Sequence, residues 1–217
     1  MERKRFAVVL AGSGVYDGSE IQEAVSVLLA IDRAGAEYEC FAPDINQFHV
    51  VNHLTGKVEK EVRNVLVESA RIARGDIKKL TVFDPKNFDS LVFPGGFGVA
   101  KNLCTFAIDG PDCLVNPETE NAIIKAHEAG LPIGALCISP VLIAKVLGKS
   151  TLTIGNDIDT ANAIESMGAL HQITSGSEII VDKQNKIVTS PCYMLNSSIG
   201  VIAQGAENVI EALLKMM

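Results

Sequence analysis

Residues 131–148 read Leu131-Pro-Ile-Gly-Ala-Leu-Cys-Ile-Ser-Pro-Val-Leu-Ile-Ala-Lys-Val-Leu-Gly148, and the rest of the chain is interpreted outward from them. The apolar run over 131–136 predicts a buried strand. A helix is predicted to begin at Pro140, a residue favoured in the first helical turn, and to end at Gly148. Cys137 is therefore predicted to lie in the turn between a strand and a helix.

A cysteine in such a turn has two interpretations. Near a helix N-terminus, unpaired N–H groups and the positive end of the helix dipole favour the thiolate over the thiol. The turn also has the form of a nucleophile elbow, in which the N–H of Ile138 can donate to an oxyanion formed on a substrate. A cysteine in an apolar run is equally compatible with a small buried hydrophobic side chain. The stretch around Cys137 leaves both interpretations open.

The bulk composition narrows the class of protein. With 217 residues and 47% hydrophobic content, the chain is expected to form a single domain over 1–217. The net charge of −7, with lysine and arginine scattered, argues against a nucleic-acid partner. No apolar segment reaches the roughly 18 residues that a membrane span needs, and no export signal is recognised. We therefore expect no membrane association and a cytoplasmic location.

The five cysteines are widely spaced and form no Cys-x-x-Cys pair. For a chain that is not exported, this pattern predicts free thiols in a reducing compartment and no zinc site. His49 and His53 are four residues apart, a spacing that suits metal ligands on a helix. No acidic or cysteine ligand accompanies them, so a solvated pair in a loop is the preferred interpretation.

The first apolar run, over 5–11, predicts a central parallel strand covered on both faces. The glycine-rich turn that follows lacks the third glycine of a dinucleotide-binding loop. A helix is then predicted over 19–35, with a capping box formed by Ser19 and Gln22.

Two carboxylates lie in the first turns of that predicted helix. Glu20 is explained by the preference for acidic residues at helix N-termini. Glu23 is followed by a strongly apolar stretch, so we expect its carboxyl to be partly enclosed. Enclosure raises the pKa of a carboxyl toward values useful for proton transfer.

The segment over 88–98 predicts a strand that runs into a Pro-Gly-Gly turn. Because the ligand crevice of a parallel sheet lies outside the carboxyl ends of its strands, this turn and Cys137 should open on the same crevice. Gly96 is then a candidate oxyanion donor beside Ile138. Asn102, a few residues further on, is predicted to lie at the mouth of the site.

The segment over 45–79 departs from the alternation of strands and helices. Its apolar spacing predicts a surface helix over 58–74 that ends at Gly75. We interpret the segment as a helical insertion at the edge of the domain, with a lid or a dimer contact as alternatives. The later part of the chain predicts a helix over 157–167, a hairpin over 178–190 and a final helical segment over 195–217.

Three motifs together resemble a known family: Gly18-Ser-Glu-Ile-Gln-Glu-Ala-Val25, Phe93-Pro-Gly-Gly-Phe-Gly98 and Gly134-Ala-Leu-Cys-Ile-Ser-Pro140. The combination is similar to the PfpI-like branch of the class I glutamine-amidotransferase-like superfamily. Within it, the chain resembles the ElbB-type family of "enhancing lycopene biosynthesis" proteins, or isoprenoid-biosynthesis glyoxalases, over nearly its whole length. This resemblance implies an α/β fold: a flavodoxin-like three-layer sandwich with a mostly parallel sheet, helices on both faces and a nucleophile elbow.

The resemblance also implies roles for particular residues. Cys137 matches the nucleophile, and Glu23 matches the carboxyl that hydrogen-bonds it. The backbone N–H groups of Gly96 and Ile138 match the oxyanion donors. Further candidates for contacts with substrate are Glu20, Asn102 and His171.

Departures from the superfamily pattern are equally informative. Many members have histidine directly after the cysteine, where this chain has Ile138. The amidotransferase histidine, followed two residues later by glutamate, is also missing, since His171 is followed by Gln172 and Ile173. Glutamine hydrolysis and proteolysis need a base for the thiol and an acid for the leaving amine, so neither is expected.

The leading hypothesis is a glutathione-independent glyoxalase-like enzyme acting on methylglyoxal or glyoxal. Cys137 would form a hemithioacetal, and Glu23 would move a proton between the two carbons, without a metal or an organic cofactor. The alternative is a non-catalytic redox-sensing or regulatory protein in which Cys137 is oxidised. A third hypothesis is a structural domain with an unreactive Cys137. A homodimer is expected in each case.

Overall fold

The N-terminal apolar run forms the first strand, β1 (Arg5–Val9), of a computed structural model that describes residues 3–217. The other strands are β2 (Glu37–Ala42), β3 (Val51–Asn52), β4 (Lys57–Val58), β5 (Ile77–Lys79), β6 (Ser90–Phe93), β7 (Ile133–Leu136), β8 (Thr151–Leu152), β9 (Leu170–His171), β10 (Ile180–Asp182) and β11 (Ile187–Ser190). The α-helices are α1 (Ile21–Arg33), α2 (Val65–Ile72), α3 (Phe106–Asp109), α4 (Pro117–Glu128), α5 (Pro140–Leu147), α6 (Ile158–Ser166) and α7 (Ile199–Leu214).

Seven of the strands form one sheet in the order β10-β11-β7-β6-β1-β2-β5. All neighbours in it are parallel except β10 and β11, which form the antiparallel hairpin expected from the sequence. Strand β1 lies between β6 and β2, so its side chains are buried on both faces. The predicted central parallel strand is confirmed.

Helices cover both faces of this sheet. On one face, Phe6 and Val8 of β1 pack in a core shared with α1 and α7. On the other face, Ala7 and Val9 pack in a core shared with α4 and α5. Alternate residues of one strand thus supply two separate apolar cores, as the period of two in a strand requires. The predicted three-layer α/β sandwich is confirmed.

The segment over 45–79 differs from the predicted helical insertion. It contains the small hairpin β3–β4, the short helix α2, and β5, which extends the main sheet beside β2. The helix begins only at Val65 because the Asn64 side chain caps it by accepting a hydrogen bond from Val67 N–H. The predicted helix over 58–74 is therefore wrong in its first half, where Val58 and Val62 are exposed.

The start of α1 also differs from prediction. Glu20, and not Ser19, is the N-cap, since its carboxylate accepts from Glu23 N–H at 2.7 Å. The Ser19 hydroxyl instead accepts from Ala11 N–H at 2.8 Å. Residue 19 thus ties the glycine-rich turn to β1. Over residues 3–217, no helix combines the length and apolar character needed to cross a bilayer.

Candidate active site

The candidate site lies where four parallel strands end at one edge of the sheet. Strand β7 leads into Cys137, β6 leads into the Pro-Gly-Gly turn, and β11 leads into a short turn over 192–194. The loop after β1 leads into α1, which carries Glu23 in its first turn. The sheet topology therefore brings together residues from distant parts of the sequence.

Cys137 occupies the strand-to-helix turn that the sequence predicts. Its backbone has φ +59°, a left-handed conformation that is uncommon for a residue with a side chain. The turn is held on both sides. Cys137 N–H donates to the Ser190 carbonyl at 2.9 Å, and the Ser139 hydroxyl donates to the Pro94 carbonyl at 2.8 Å. The predicted elbow geometry is confirmed.

Glu23 is fully buried and contacts the thiol of Cys137. Its two carboxylate oxygens also accept backbone hydrogen bonds, from Gly95 N–H at 2.9 Å and from Tyr193 N–H at 3.1 Å. Burial raises the pKa of Glu23 from 4.5 to about 7, because the hydrogen bonds only partly offset the lost hydration and the Glu20 charge adds to the rise. The predicted enclosure and raised pKa of this carboxyl are confirmed.

The ionisation of Cys137 differs from the prediction. Burial raises the pKa of its thiol well above the ordinary value, and the adjacent Glu23 carboxyl raises it further. The Gly96 N–H group, which lies near the sulfur, opposes this rise. Cys137 also lies two residues before Ser139, the N-cap of α5, and is thus outside the first turn. Burial and the nearby Glu23 carboxyl therefore favour the thiol form of Cys137 over the thiolate form that the helix dipole alone would favour.

Glycines at 95 and 96 allow the backbone to approach this pair closely. A Cβ at Gly95 would lie 2.3 Å from the Cβ of Cys137 and 2.6 Å from a carboxylate oxygen of Glu23. Gly96 has φ +106°, and a Cβ there would lie 2.3 Å from the backbone nitrogen of Glu20. No side chain fits at either position, so both glycines are needed to build the site.

Two backbone N–H groups are available beside the sulfur. Within residues 3–217, neither Gly96 N–H nor Ile138 N–H donates to an oxygen of the protein. Both residues line the same cavity as Cys137. Such a pair can hold a negative oxygen that forms on a carbon attached to the sulfur. The oxyanion role of Gly96 and Ile138 stays a prediction.

The cavity above Cys137 has a volume of about 380 Å³. Most of its wall is apolar, and its polar side chains include Glu20, Asp157, Thr160 and Tyr193. Glu20, a predicted contact for substrate, therefore lies at the site, and burial raises the pKa of its carboxyl. A cavity of this size falls within the range of ~300–1,000 Å³ that encloses organic ligands.

The other two predicted substrate contacts lie elsewhere. Asn102 is buried beneath the glycine-rich turn, where its amide donates to the carbonyls of Ala11 and Asp17 and accepts from Phe48 N–H. These bonds occupy the side chain, so it holds three loops together and does not line the cavity. His171 lies in β9, and its imidazole accepts from Ile154 N–H at 3.3 Å, also away from the cavity. Neither residue lines the cavity above Cys137.

Sequence reasoning missed two residues at the site. Tyr193 supplies one of the N–H groups on Glu23, and its hydroxyl donates to Gln22. Asp157 was expected only as the first residue of a predicted helix; its side chain caps α6, and it also lines the cavity. Tyr193 follows the carboxyl end of β11. The rule that the ligand crevice lies outside the carboxyl ends of parallel strands, which placed Gly96 and Cys137 at the site, therefore also predicts a place for Tyr193 there.

Metal binding has little support in the geometry. In the part of the chain that the structure describes, no cluster of three or more histidine, cysteine, aspartate or glutamate side chains is arranged to hold a metal ion. His53 lies between β3 and β4, and its imidazole accepts from Tyr16 N–H of the glycine-rich turn at 3.2 Å.

Comparisons with known proteins support this fold. No family model matches the sequence. The chain is 46% identical over 222 residues to the human "glutamine amidotransferase-like class 1 domain-containing protein 3, mitochondrial", covering 98% of this chain and 83% of that protein. It is also 46% identical over 224 residues to the rat "ES1 protein homolog, mitochondrial", covering 99% and 84%.

Among solved structures, a crystal structure of an isoprenoid biosynthesis protein with an amidotransferase-like domain from Ehrlichia chaffeensis superposes with a TM-score of 0.92. The two chains are 41% identical, with 98% of this chain and 99% of that one covered. A glyoxalase III from Candida albicans superposes with a TM-score of 0.62 at 15% identity, covering 96% and 97%, and this likeness concerns the fold alone.

The relatives overturn the expected cellular location. The human and rat proteins both carry mitochondrial names, so the prediction of a cytoplasmic location is wrong. The sequence argument was built on the lack of a predicted membrane span and of a recognised export signal, with free thiols as its consequence. Because these features are shared by proteins of more than one reducing compartment, they do not separate the cytoplasm from others.

Proposed function

Because this chain belongs to the ElbB-type family, in the PfpI-like branch of the class I glutamine-amidotransferase-like superfamily, we propose that it is a glyoxalase-like enzyme. It acts on small 2-oxoaldehydes, such as methylglyoxal and glyoxal, without glutathione. The observation that carries the proposal is the contact between the Cys137 thiol and the buried Glu23 carboxyl at the floor of a cavity.

The first step is attack of sulfur on the aldehyde carbon. As the carbon–sulfur bond forms, the Glu23 carboxylate takes the thiol proton, so a free thiolate is not needed beforehand. The pKa of about 7 suits Glu23 to accept and return a proton near neutral pH. The aldehyde oxygen becomes negative and is held by the N–H groups of Gly96 and Ile138. Return of the proton to this oxygen gives a hemithioacetal.

The second step moves a hydrogen between the two substrate carbons. Glu23 removes the proton from the carbon attached to sulfur and delivers it to the adjacent ketone oxygen, giving an enediol. Glu23 then takes the proton of the hydroxyl on the carbon attached to sulfur and delivers it to the neighbouring carbon, giving a thioester of a 2-hydroxy acid on Cys137. Water then cleaves the thioester, releasing the 2-hydroxycarboxylate and restoring the thiol. Overall, one 2-oxoaldehyde and one water give one 2-hydroxycarboxylate and one proton.

The redox alternative uses the same cysteine. Peroxide would oxidise the Cys137 thiol to a sulfenic acid, with Glu23 as the hydrogen-bond partner. Two observations favour the enzyme over this alternative. The raised pKa of Cys137 lowers the thiolate fraction on which peroxide sensing depends. A peroxide sensor also has no need of a cavity of about 380 Å³ lined by apolar side chains.

We further propose that the chain forms a homodimer through α1. This helix exposes Ile21, Val25 and Leu29, which are 46%, 47% and 42% accessible to solvent. Their spacing of four residues places them on one face. An apolar stripe of this kind on a surface helix is typical of a contact with another protein, and a second copy of this chain presents the same stripe.

The test is lactate formation from methylglyoxal by the purified protein without glutathione. Cys137→Ser should lower kcat/KM by about 100-fold or more, and Glu23→Gln by about 10²–10⁴-fold. Cys40→Ala is the matched control, because Cys40 is a buried thiol in β2 that does not line the cavity, and it should keep the wild-type rate. Equal rates in wild type and Cys137→Ser would contradict the proposal. Selective oxidation of Cys137 by dilute peroxide without aldehyde turnover would support the redox alternative.

A further inference from the structure

The walls of the cavity above Cys137 are mainly apolar. The apolar side chains that form them come from four separate segments and include Val15, Phe97, Phe106, Ile138 and Met194. The volume of about 380 Å³ matches sites that enclose ligands of many non-hydrogen atoms. Methylglyoxal would fill only a small part of this space and would leave most of the apolar wall in contact with water. The cavity is therefore built for a larger apolar group than methyl.

The charges at the cavity all have one sign. Its lining includes the carboxylates of Glu20 and Asp157 and, among residues 3–217, no lysine, arginine or histidine. Glu23 adds a third carboxyl behind Cys137. Lys101 lies over the Phe97 ring, 5.3 Å from its centre, but its ammonium donates to the Tyr16 carbonyl and is not part of the lining. An anionic substrate would meet repulsion here with no cation to compensate.

From this lining we propose that the preferred substrate is an uncharged 2-oxoaldehyde whose ketone carbon carries an aromatic or branched apolar group. The inference rests on the proposed function, and it assigns the substrate class for that site. The aldehyde end reaches Cys137, while the apolar group contacts the ring side chains of Phe97 and Phe106.

The same charges favour release of product. The reaction converts a neutral aldehyde into a 2-hydroxycarboxylate, so the product gains the negative charge that the substrate lacks. The carboxylates of Glu20 and Asp157 do not attract the neutral aldehyde, and they repel the carboxylate of the product once it forms. A site of this kind discriminates between substrate and product by charge alone, and the 2-hydroxycarboxylate should be a weak inhibitor.

The experiment compares three aldehydes with the purified wild-type protein: methylglyoxal, phenylglyoxal and 4-carboxyphenylglyoxal. Phenylglyoxal should have a kcat/KM at least ~10-fold above that of methylglyoxal, the order of effect that a filled apolar pocket provides. The carboxyphenyl compound has nearly the same shape and adds one negative charge, and its kcat/KM should fall ~10-fold or more below that of phenylglyoxal.

Two variants separate the effect of size from that of charge. Phe106→Ala should reduce the preference for phenylglyoxal over methylglyoxal several-fold. Asp157→Asn removes one charge and keeps a capping side chain on α6, so it should raise the carboxyphenylglyoxal to phenylglyoxal ratio by ~3-fold or more. Asp159→Asn is the matched control, because Asp159 is an exposed carboxylate of the same helical turn outside the cavity lining, and it should leave that ratio unchanged.

The outcomes distinguish this inference from the function beneath it. If wild type and Cys137→Ser turn over all three aldehydes equally, the glyoxalase function and the substrate class both fail. If Cys137-dependent turnover is found but methylglyoxal is used as well as phenylglyoxal, or the carboxyphenyl compound as well as phenylglyoxal, only the inferred substrate class is overturned. Equal changes in the ratio of kcat/KM for 4-carboxyphenylglyoxal to that for phenylglyoxal, in Asp157→Asn and Asp159→Asn, would also overturn the inferred substrate class.

Discussion

The buried carboxyl of Glu23 should make the stability of the protein depend on pH in an unusual direction. Its pKa is about 7 in the folded protein and near 4.5 when exposed. Between these values the folded state holds a proton that the unfolded state has released. This group therefore stabilises the fold fully below about pH 4.5, and that contribution is lost as the pH rises to about 7. At about 1.4 kcal/mol per pKa unit, the loss amounts to about 3 kcal/mol.

Glu23→Gln isolates this effect because the amide does not titrate. The variant also carries a penalty that does not depend on pH. The carboxylate accepts from Gly95 N–H on one oxygen and from Tyr193 N–H on the other. In the amide, a nitrogen that cannot accept replaces one of these oxygens, so one of the two bonds is lost. An unmade bond of this kind costs about 1–3 kcal/mol at every pH. Wild type should thus exceed the variant in stability at low pH, and the difference should shrink by about 3 kcal/mol on going to neutral pH.

Urea unfolding of both proteins across the range from about pH 4.5 to about pH 8 measures this difference. Carboxylates with lowered pKa, such as Asp89 and Asp182, destabilise the fold at low pH, but they do so in both proteins and cancel. A free-energy difference that is constant within about 0.5 kcal/mol across the range would refute the argument. In Cys137→Ala, the Glu23 carboxylate loses the thiol hydrogen bond that lowers its pKa. The pH at which the stabilising contribution of Glu23 is fully lost should therefore move upward.

Other substitutions and conditions test further parts of the site. The acidic limb of kcat/KM for aldehyde turnover should rise with pH through about 7, since the proposed base, Glu23, must be ionised, and a profile flat from about pH 5 to about pH 8 would contradict this role. Gly95→Ala should lower turnover by about 100-fold, because its Cβ would lie 2.3 Å from that of Cys137, and the steady-state assay with near-ultraviolet circular dichroism would separate a misplaced thiol from a misfolded chain. Asn102→Ala should destabilise the fold by about 2–4 kcal/mol in urea unfolding, since it leaves three backbone groups unpaired. Val25→Lys should change the mass in light scattering from a dimer to a single 23.1 kDa chain, and an unchanged mass would exclude the exposed face of α1 as the interface.

The sequence is most informative where a local pattern determines the structure. The elbow at Cys137 could be predicted because an apolar strand, a proline at the helix start and a closing glycine all act within one short stretch. The burial of Glu23 could be predicted from the apolar residues that follow it in the same helix. In both cases the neighbours that decide the outcome are neighbours in sequence.

Prediction fails where distant segments decide. Asn102 was expected at the mouth of the site because it follows the Pro-Gly-Gly turn, but its amide is engaged by the glycine-rich turn and by the loop at Phe48, two segments from other parts of the chain. The helix that follows Cys137 favours a lowered pKa of its thiol. The pKa is instead raised by burial and by Glu23, which lies more than a hundred residues earlier. Such contacts leave no signal in the local pattern.

The absence of a triad histidine limits which reactions this site can perform. Within residues 3–217, no histidine lines the cavity, and the carboxyl next to the Cys137 thiol is that of Glu23, the proposed base. Cleavage of an amide requires an acid that protonates the departing nitrogen, a task separate from activating the thiol. In the conversion of a 2-oxoaldehyde, by contrast, the proton that Glu23 takes from one atom returns to the next, so one carboxyl serves throughout. A carboxyl that acts alternately as base and acid works best with a pKa near the ambient pH. The complete burial of Glu23, in the first turn of α1, raises its pKa to about 7. In the proposed mechanism, the burial that raises the pKa of the Cys137 thiol is therefore the same feature that brings the pKa of Glu23 to about 7, where it can carry a proton.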